Sequence, residues 1–118
     1  MAVKLAKTAG YCMGVKRAVD IVLDIARHKS DETIYTYGPL IHNPQTIDVL
    51  RKRGIIPVDD INEMTDGIVI IRAHGISPEE RHRLREKNLT IIDATCPKVA
   101  RVQSIIKKHA DQGDRVVI

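Results

Sequence analysis

Residues 68–71 read Ile-Val-Ile-Ile. Four β-branched side chains in succession, with no polar residue among them, make a strand that hides both faces from water. A half-exposed antiparallel strand would alternate apolar and polar residues instead. Such a strand belongs in a parallel sheet covered by helices on both sides, so the rest of the chain must supply helices and neighbouring strands.

It does so in a repeating rhythm of strand, short loop and helix. Thr33 to Tyr37, Ile55 to Val58 and Leu89 to Ile92 are rich in strand formers. Val3 to Lys7 reads as a further short strand, and Arg115 to Ile118 as the beginning of another. From Val15, the residues Ala18, Val19, Val22, Ile25 and Ala26 recur at helical spacing, and His28-Lys29 gives that helix a cationic end. Asn43-Pro44 predicts a second helix, with Asn as cap and Pro at the first helical position, Ile47 and Leu50 facing inward, and a basic last turn stopped by Gly54. The connection from Asp59 to Gly67 has room for a helical turn. Ser77-Pro78-Glu79-Glu80 has the pattern of a capping box, opening a helix to about Lys87. Val99, Val102, Ile105 and Ile106 mark a fourth helix, closed by Gly113. The predicted fold is α/β, a mainly parallel sheet flanked by helices.

Composition narrows the function. The 118 residues include no Trp, no Phe and only three Tyr, which argues against a stacking platform for single-stranded nucleic acid. The net charge of +4 comes mainly from predicted helix faces: Arg51 to Arg53; Arg81, Arg83, Arg85 and Lys87; Lys107 and Lys108. These read as solvated surface rather than a nucleic-acid patch. No apolar run approaches the roughly 18 residues of a membrane span. The start has no signal-peptide layout, so the expected location is the cytoplasm, where a structural disulfide between Cys12 and Cys96 is not expected.

In a parallel sheet with right-handed crossovers, every strand-to-helix loop emerges at the carboxyl ends of the strands, where ligands bind. The first such loop carries Cys12, the second His42, the third His74 and the fourth Cys96. Singly, each cysteine reads as a small packed hydrophobe and each histidine as a loop residue. Their common placement just before helices is what points to a shared site. His28, His82 and His109 lie on helices among polar neighbours and read as surface. A helix N-terminus favours the thiolate, the metal-binding form of cysteine, and binds phosphate through its free N–H groups. Gly10, Gly14, Gly38 and Gly75 are expected to let the backbone turn tightly and approach a ligand. Two thiols and two imidazoles suit tetrahedral zinc in number, but their spacing matches no finger or ribbon. An iron–sulfur cluster ordinarily takes four thiolates, and this chain has two. On the residues alone, a non-catalytic phosphate-binding domain and a zinc-binding module stay open.

Four motifs carry a more specific signal. Gly-Tyr-Cys-Met-Gly-Val-Lys-Arg-Ala at 10–18, Gly-Pro-Leu-Ile-His-Asn at 38–43, Arg-Ala-His-Gly at 72–75 and Asp-Ala-Thr-Cys-Pro at 93–97 occur in that order across nearly the whole chain. Together they resemble the cysteine and histidine motifs of the 4-hydroxy-3-methylbut-2-enyl diphosphate reductase family. The resemblance implies one of three similar α/β domains arranged around a 4Fe–4S cluster, each domain giving one cysteine. Residues 1–96 would form the first domain, with the strand at Val3 to Lys7 free to pack elsewhere in the parent enzyme. Residues 97–118 would be the opening helix and strand of a second domain.

By the same resemblance Cys12 and Cys96 would be cluster ligands, and His42 and His74 would hold the diphosphate of an allylic substrate. Electrons would come from a ferredoxin or flavodoxin, with no nucleic acid or membrane involved. The reaction implied is reductive loss of the substrate hydroxyl as water, giving isopentenyl and dimethylallyl diphosphate. No catalytic residue is assigned within this sequence. The family's third histidine, proton-donating glutamate and third cysteine all match positions beyond Ile118, and the 118 residues are expected to be inactive alone.

Overall fold

The computed structural model describes residues 1–29 and 31–117. Four strands, β1 (Ile34–Tyr37), β2 (Ile55–Val58), β3 (Gly67–Ile71) and β4 (Leu89–Asp93), form one parallel sheet in the order β2-β1-β3-β4. Around it lie α1 (Met13–His28), α2 (Pro44–Arg51), α3 (Pro78–Arg85), α4 (Pro97–Asp111) and a 3₁₀ turn at Ile61–Glu63.

The Ile-Val-Ile-Ile run behaves as its composition requires. Ile68 and Ile70 face one way, packing with Ala18 and Val22 of α1, Leu50 of α2 and Ile34 of β1. Val69 and Ile71 face the other way, packing with Leu84 of α3, Tyr35, Tyr37, Ile61 and Met64. All four are at most 2% exposed, and each such burial stabilises the fold by about 1.5–3 kcal/mol.

The predicted caps form. Asn43 accepts from the Thr46 N–H at 2.9 Å with Pro44 following it, and Ser77 and Glu80 make a reciprocal capping box. Helix α1 begins two residues earlier than its apolar spacing suggests, and α3 stops two residues sooner. Most of the charged helix surface is solvated, with Arg51, Lys52, Arg53, Arg83, Arg85, Lys107 and Lys108 exposed, but Arg81 and Lys87 are half-buried, bonded to Asp93 and to the Met64 carbonyl. No helix among the described residues is long and apolar enough to cross a membrane.

Two expectations are corrected. Val3 to Lys7 is not a strand: the four strands pair among themselves, and Val3 and Leu5 are 91% and 85% exposed. A strand exists only where its backbone groups find a partner ladder, and none is offered here. Residues 114–117 likewise form no strand, while Ile118 lies outside the described residues. Helix α4, though amphipathic, buries none of its residues, and Val102 and Ile105 on it stay about half exposed.

Candidate functional site at the carboxyl edge of the sheet

Three strand-to-helix loops leave the carboxyl edge: 38–43 between β1 and α2, 72–77 between β3 and α3, and 94–96 between β4 and α4. They carry His42, His74 and Cys96. Cys12 stands before α1 with no strand ahead of it, so its loop is not the strand-to-helix junction that the sequence suggests. It nevertheless arrives at the same place.

The imidazoles of His42 and His74 lie side by side, ring centroids 5.0 Å apart and tilted by 43°, and both residues are exposed. The cause is register. Tyr37 and Ile71 are Cα partners at the ends of β1 and β3, so the two loops start level with one another. Pairing also continues beyond β3 and β4: Ala94 N donates to Ile71 O at 3.1 Å, and Cys96 N donates to Ala73 O at 2.9 Å. That places Cys96 against the residue preceding His74.

Helix α1 closes the group from the other side. Gly14, in its first turn, faces Cys96 so closely that a methyl there would lie 2.5 Å from Cys96 Sγ and 2.9 Å from its Cβ. Gly14 therefore does not serve as a turn, as the sequence suggests; it has no left-handed φ and is needed for close approach. Arg17 Nη1 donates to Thr95 O at 3.3 Å, tying α1 to the loop of Cys96. On the far flank the Tyr11 hydroxyl bonds that of Thr46, which in turn donates to Asn43 Oδ1 at 3.1 Å, beside His42. The four residues singled out in the sequence are thus linked through contacts around one edge of the sheet.

Cys12 and Cys96 are free thiols, exposed and partly buried respectively. Each occupies the cap position of a helix without a side-chain cap hydrogen bond, leaving its sulfur available. Among the described residues, no three His, Cys, Asp or Glu side chains gather as a metal-binding group. Two available thiols at helix starts, with Gly14 of the Cys12 helix set against Cys96, fit part of an iron–sulfur ligand set, not a whole one.

Charged groups behind the site fix its loops. Glu80 is held below the usual carboxylate range, chiefly by the Ser77 N–H, with help from the Tyr37 hydroxyl and the charge of Arg72; these outweigh burial. Tyr37 is raised by burial and by its 2.9 Å hydrogen bond to Glu80. Burial pushes Asp93 upward, but hydrogen bonds from Thr95 and Arg81, with the Arg81 charge, hold it below its ordinary value. Spacing alone does not mark Arg72, Arg17, Tyr11 or Thr46 as site-building residues, and it sets Gly14 against a ligand rather than against Cys96. An open cleft of about 380 Å³ lies at the opposite edge, lined by Thr33, Asp66, Gly67 and Asn88 among others, and includes none of the four site residues.

Known proteins resemble this chain over most of its length. Residues 3–118 match the family model described as LytB protein. The 4-hydroxy-3-methylbut-2-enyl diphosphate reductase of Alkaliphilus oremlandii is 41% identical over 118 residues, covering all of this chain and 42% of that protein. The protein of the same name from Clostridium tetani is 43% identical, again over the whole chain but over 19% of its own length. A solved structure of (E)-4-hydroxy-3-methyl-but-2-enyl diphosphate reductase, terminal enzyme of the non-mevalonate pathway, superposes with a TM-score of 0.79 at 43% identity, covering 92% of this chain and 38% of the other. The Plasmodium falciparum E-1-hydroxy-2-methyl-but-2-enyl-4-diphosphate reductase gives 0.84 at 36% identity, covering 90% and 33%. The chain spans about two fifths or less of these proteins, and over that span its fold and its sequence agree with theirs: it belongs to the LytB protein family.

Proposed function

We propose that this chain forms part of the active site of a 4-hydroxy-3-methylbut-2-enyl diphosphate reductase. The observation that carries the reading is the pairing of His42 and His74 at the starts of helices, with Cys96 hydrogen-bonded into the same loop. Two imidazoles 5.0 Å apart can both donate to one diphosphate, and the free N–H groups of the neighbouring helix starts favour the same anion. Cys12 and Cys96 would give two of the thiolates that hold a 4Fe–4S cluster, and a third would come from sequence these residues do not contain. Bound there, the cluster supplies the electron-transfer chemistry for reductive removal of the substrate hydroxyl. The chain's own residues bind and orient: the histidines fix the diphosphate end, so the allylic end is presented toward the two thiols. The electron donor in this reading is a ferredoxin or flavodoxin, and the isolated 118 residues do not turn over.

The test uses the full-length gene product. Cys12→Ser and Cys96→Ser should each lose iron and acid-labile sulfide, while His42→Ala and His74→Ala should keep both and raise KM. Full iron content with normal turnover in either serine variant would refute the ligand assignment. One zinc per chain without sulfide would point to a zinc module instead.

A further inference from the structure

Arg72 is the first residue past β3, and its side chain turns sideways across the end of the sheet toward β1. Gly38, the residue level with it past β1, has φ +69° and leaves room for it: a methyl on Gly38 would stand 2.7 Å from Arg72 Nη1. The guanidinium therefore rests on the first residue of the loop that carries His42. The same side chain reaches back to its own loop, where Nε donates to Gly75 O over a long 3.4 Å, while Gly75 N donates to Arg72 O at 2.9 Å. His74 lies inside that doubly closed turn. The charge of Arg72 also acts on Glu80 and Tyr37, the pair behind the same loop. One side chain thus touches both histidine loops.

We propose that Arg72 is a positioning residue that sets the separation of His42 and His74, and so the span over which a diphosphate is gripped. This rests on the reading of the two histidines as the diphosphate site. A planar guanidinium can lie on Gly38 and bond Gly75 at once, whereas a lysine ammonium carries the charge without the fork. Small displacements of binding groups weaken function steeply.

The experiment measures KM and kcat for 4-hydroxy-3-methylbut-2-enyl diphosphate, and the Kd of inorganic diphosphate, in the full-length, cluster-loaded gene product. Arg72→Ala and Arg72→Lys should both raise KM and weaken inorganic diphosphate by about tenfold or more, with kcat changed less and iron content kept. Gly38→Ala keeps the arginine but pushes its guanidinium aside, straining the φ +69° backbone of the His42 loop as well, and should also raise KM. If Arg72→Ala does not fold, Arg72→Lys and Gly38→Ala decide. Rescue by lysine would show that charge alone matters and would overturn the proposal, as would a Gly38→Ala enzyme with unaltered KM. Should His42→Ala and His74→Ala also leave diphosphate affinity unchanged, the reading of the site fails. Should they lose affinity while the Arg72 and Gly38 variants keep it, only the role of Arg72 fails.

Discussion

Gly14→Ala separates the stability of this fold from the integrity of its site. The added methyl would lie 2.9 Å from Cys96 Cβ and 2.5 Å from Sγ. Rotating the cysteine can move Sγ but not Cβ, and ordinary carbon contacts lie near 3.5–4.0 Å, so the backbones must part by roughly 0.5–1 Å. Overpacking of this kind costs about 1–3 kcal/mol. Alanine returns up to about 1 kcal/mol of that through better helix propensity, less in a first turn. The net loss of stability is therefore about 0–3 kcal/mol, and α1 stays anchored further along by Ala18 and Val22, both fully buried. The site has no such reserve: moving the start of α1 moves Cys12 relative to Cys96. Urea unfolding of the full-length variant should show a modest loss, while iron and acid-labile sulfide per chain fall well below the wild-type ratio after anaerobic reconstitution. Full cluster content together with an unchanged urea midpoint would show that the contact does not set the distance between the thiols.

Asn43→Ala removes the cap that accepts from Thr46 and should cost about 1 kcal/mol in urea unfolding; it should also weaken inorganic diphosphate, since His42 is the preceding residue. Ile70→Ala empties a fully buried position at the centre of the sheet and should cost about 2–5 kcal/mol, read as a lowered urea midpoint. Glu80 has a depressed folded pKa, so its contribution is complete above the ordinary glutamate value of about 4.3 and is lost as pH falls through the lower folded one. Glu80→Gln should therefore be less stable than wild type at pH 7 and lose less between pH ~5 and ~3; parallel pH–stability curves for the two proteins would contradict the assignment.

Much of this fold is legible because its signals are local. Ile68 to Ile71 reads as a doubly covered strand from its β-branched run alone, and Asn43-Pro44 and Ser77-Pro78-Glu79-Glu80 announce their helices through bonds made within three residues. The meeting of His42 and His74 is legible one step further away, since parallel pairing carries both loops to one edge. Val3 to Lys7 marks where that logic stops: its residues have strand character, but a strand is a relation between two segments, and no described strand pairs with it. Gly14 and Arg72 fail for the same reason in reverse. Gly14 reads as a loop glycine free to approach a ligand and Arg72 as an ordinary residue after a strand, and each finds its place only from what tertiary packing sets against it, Cys96 in one case and Gly38 in the other. The residues that would be chemically involved could be named from the sequence because their chemistry is their own. The contacts that hold them at working distance could not, because a contact belongs to pairs of residues far apart along the chain.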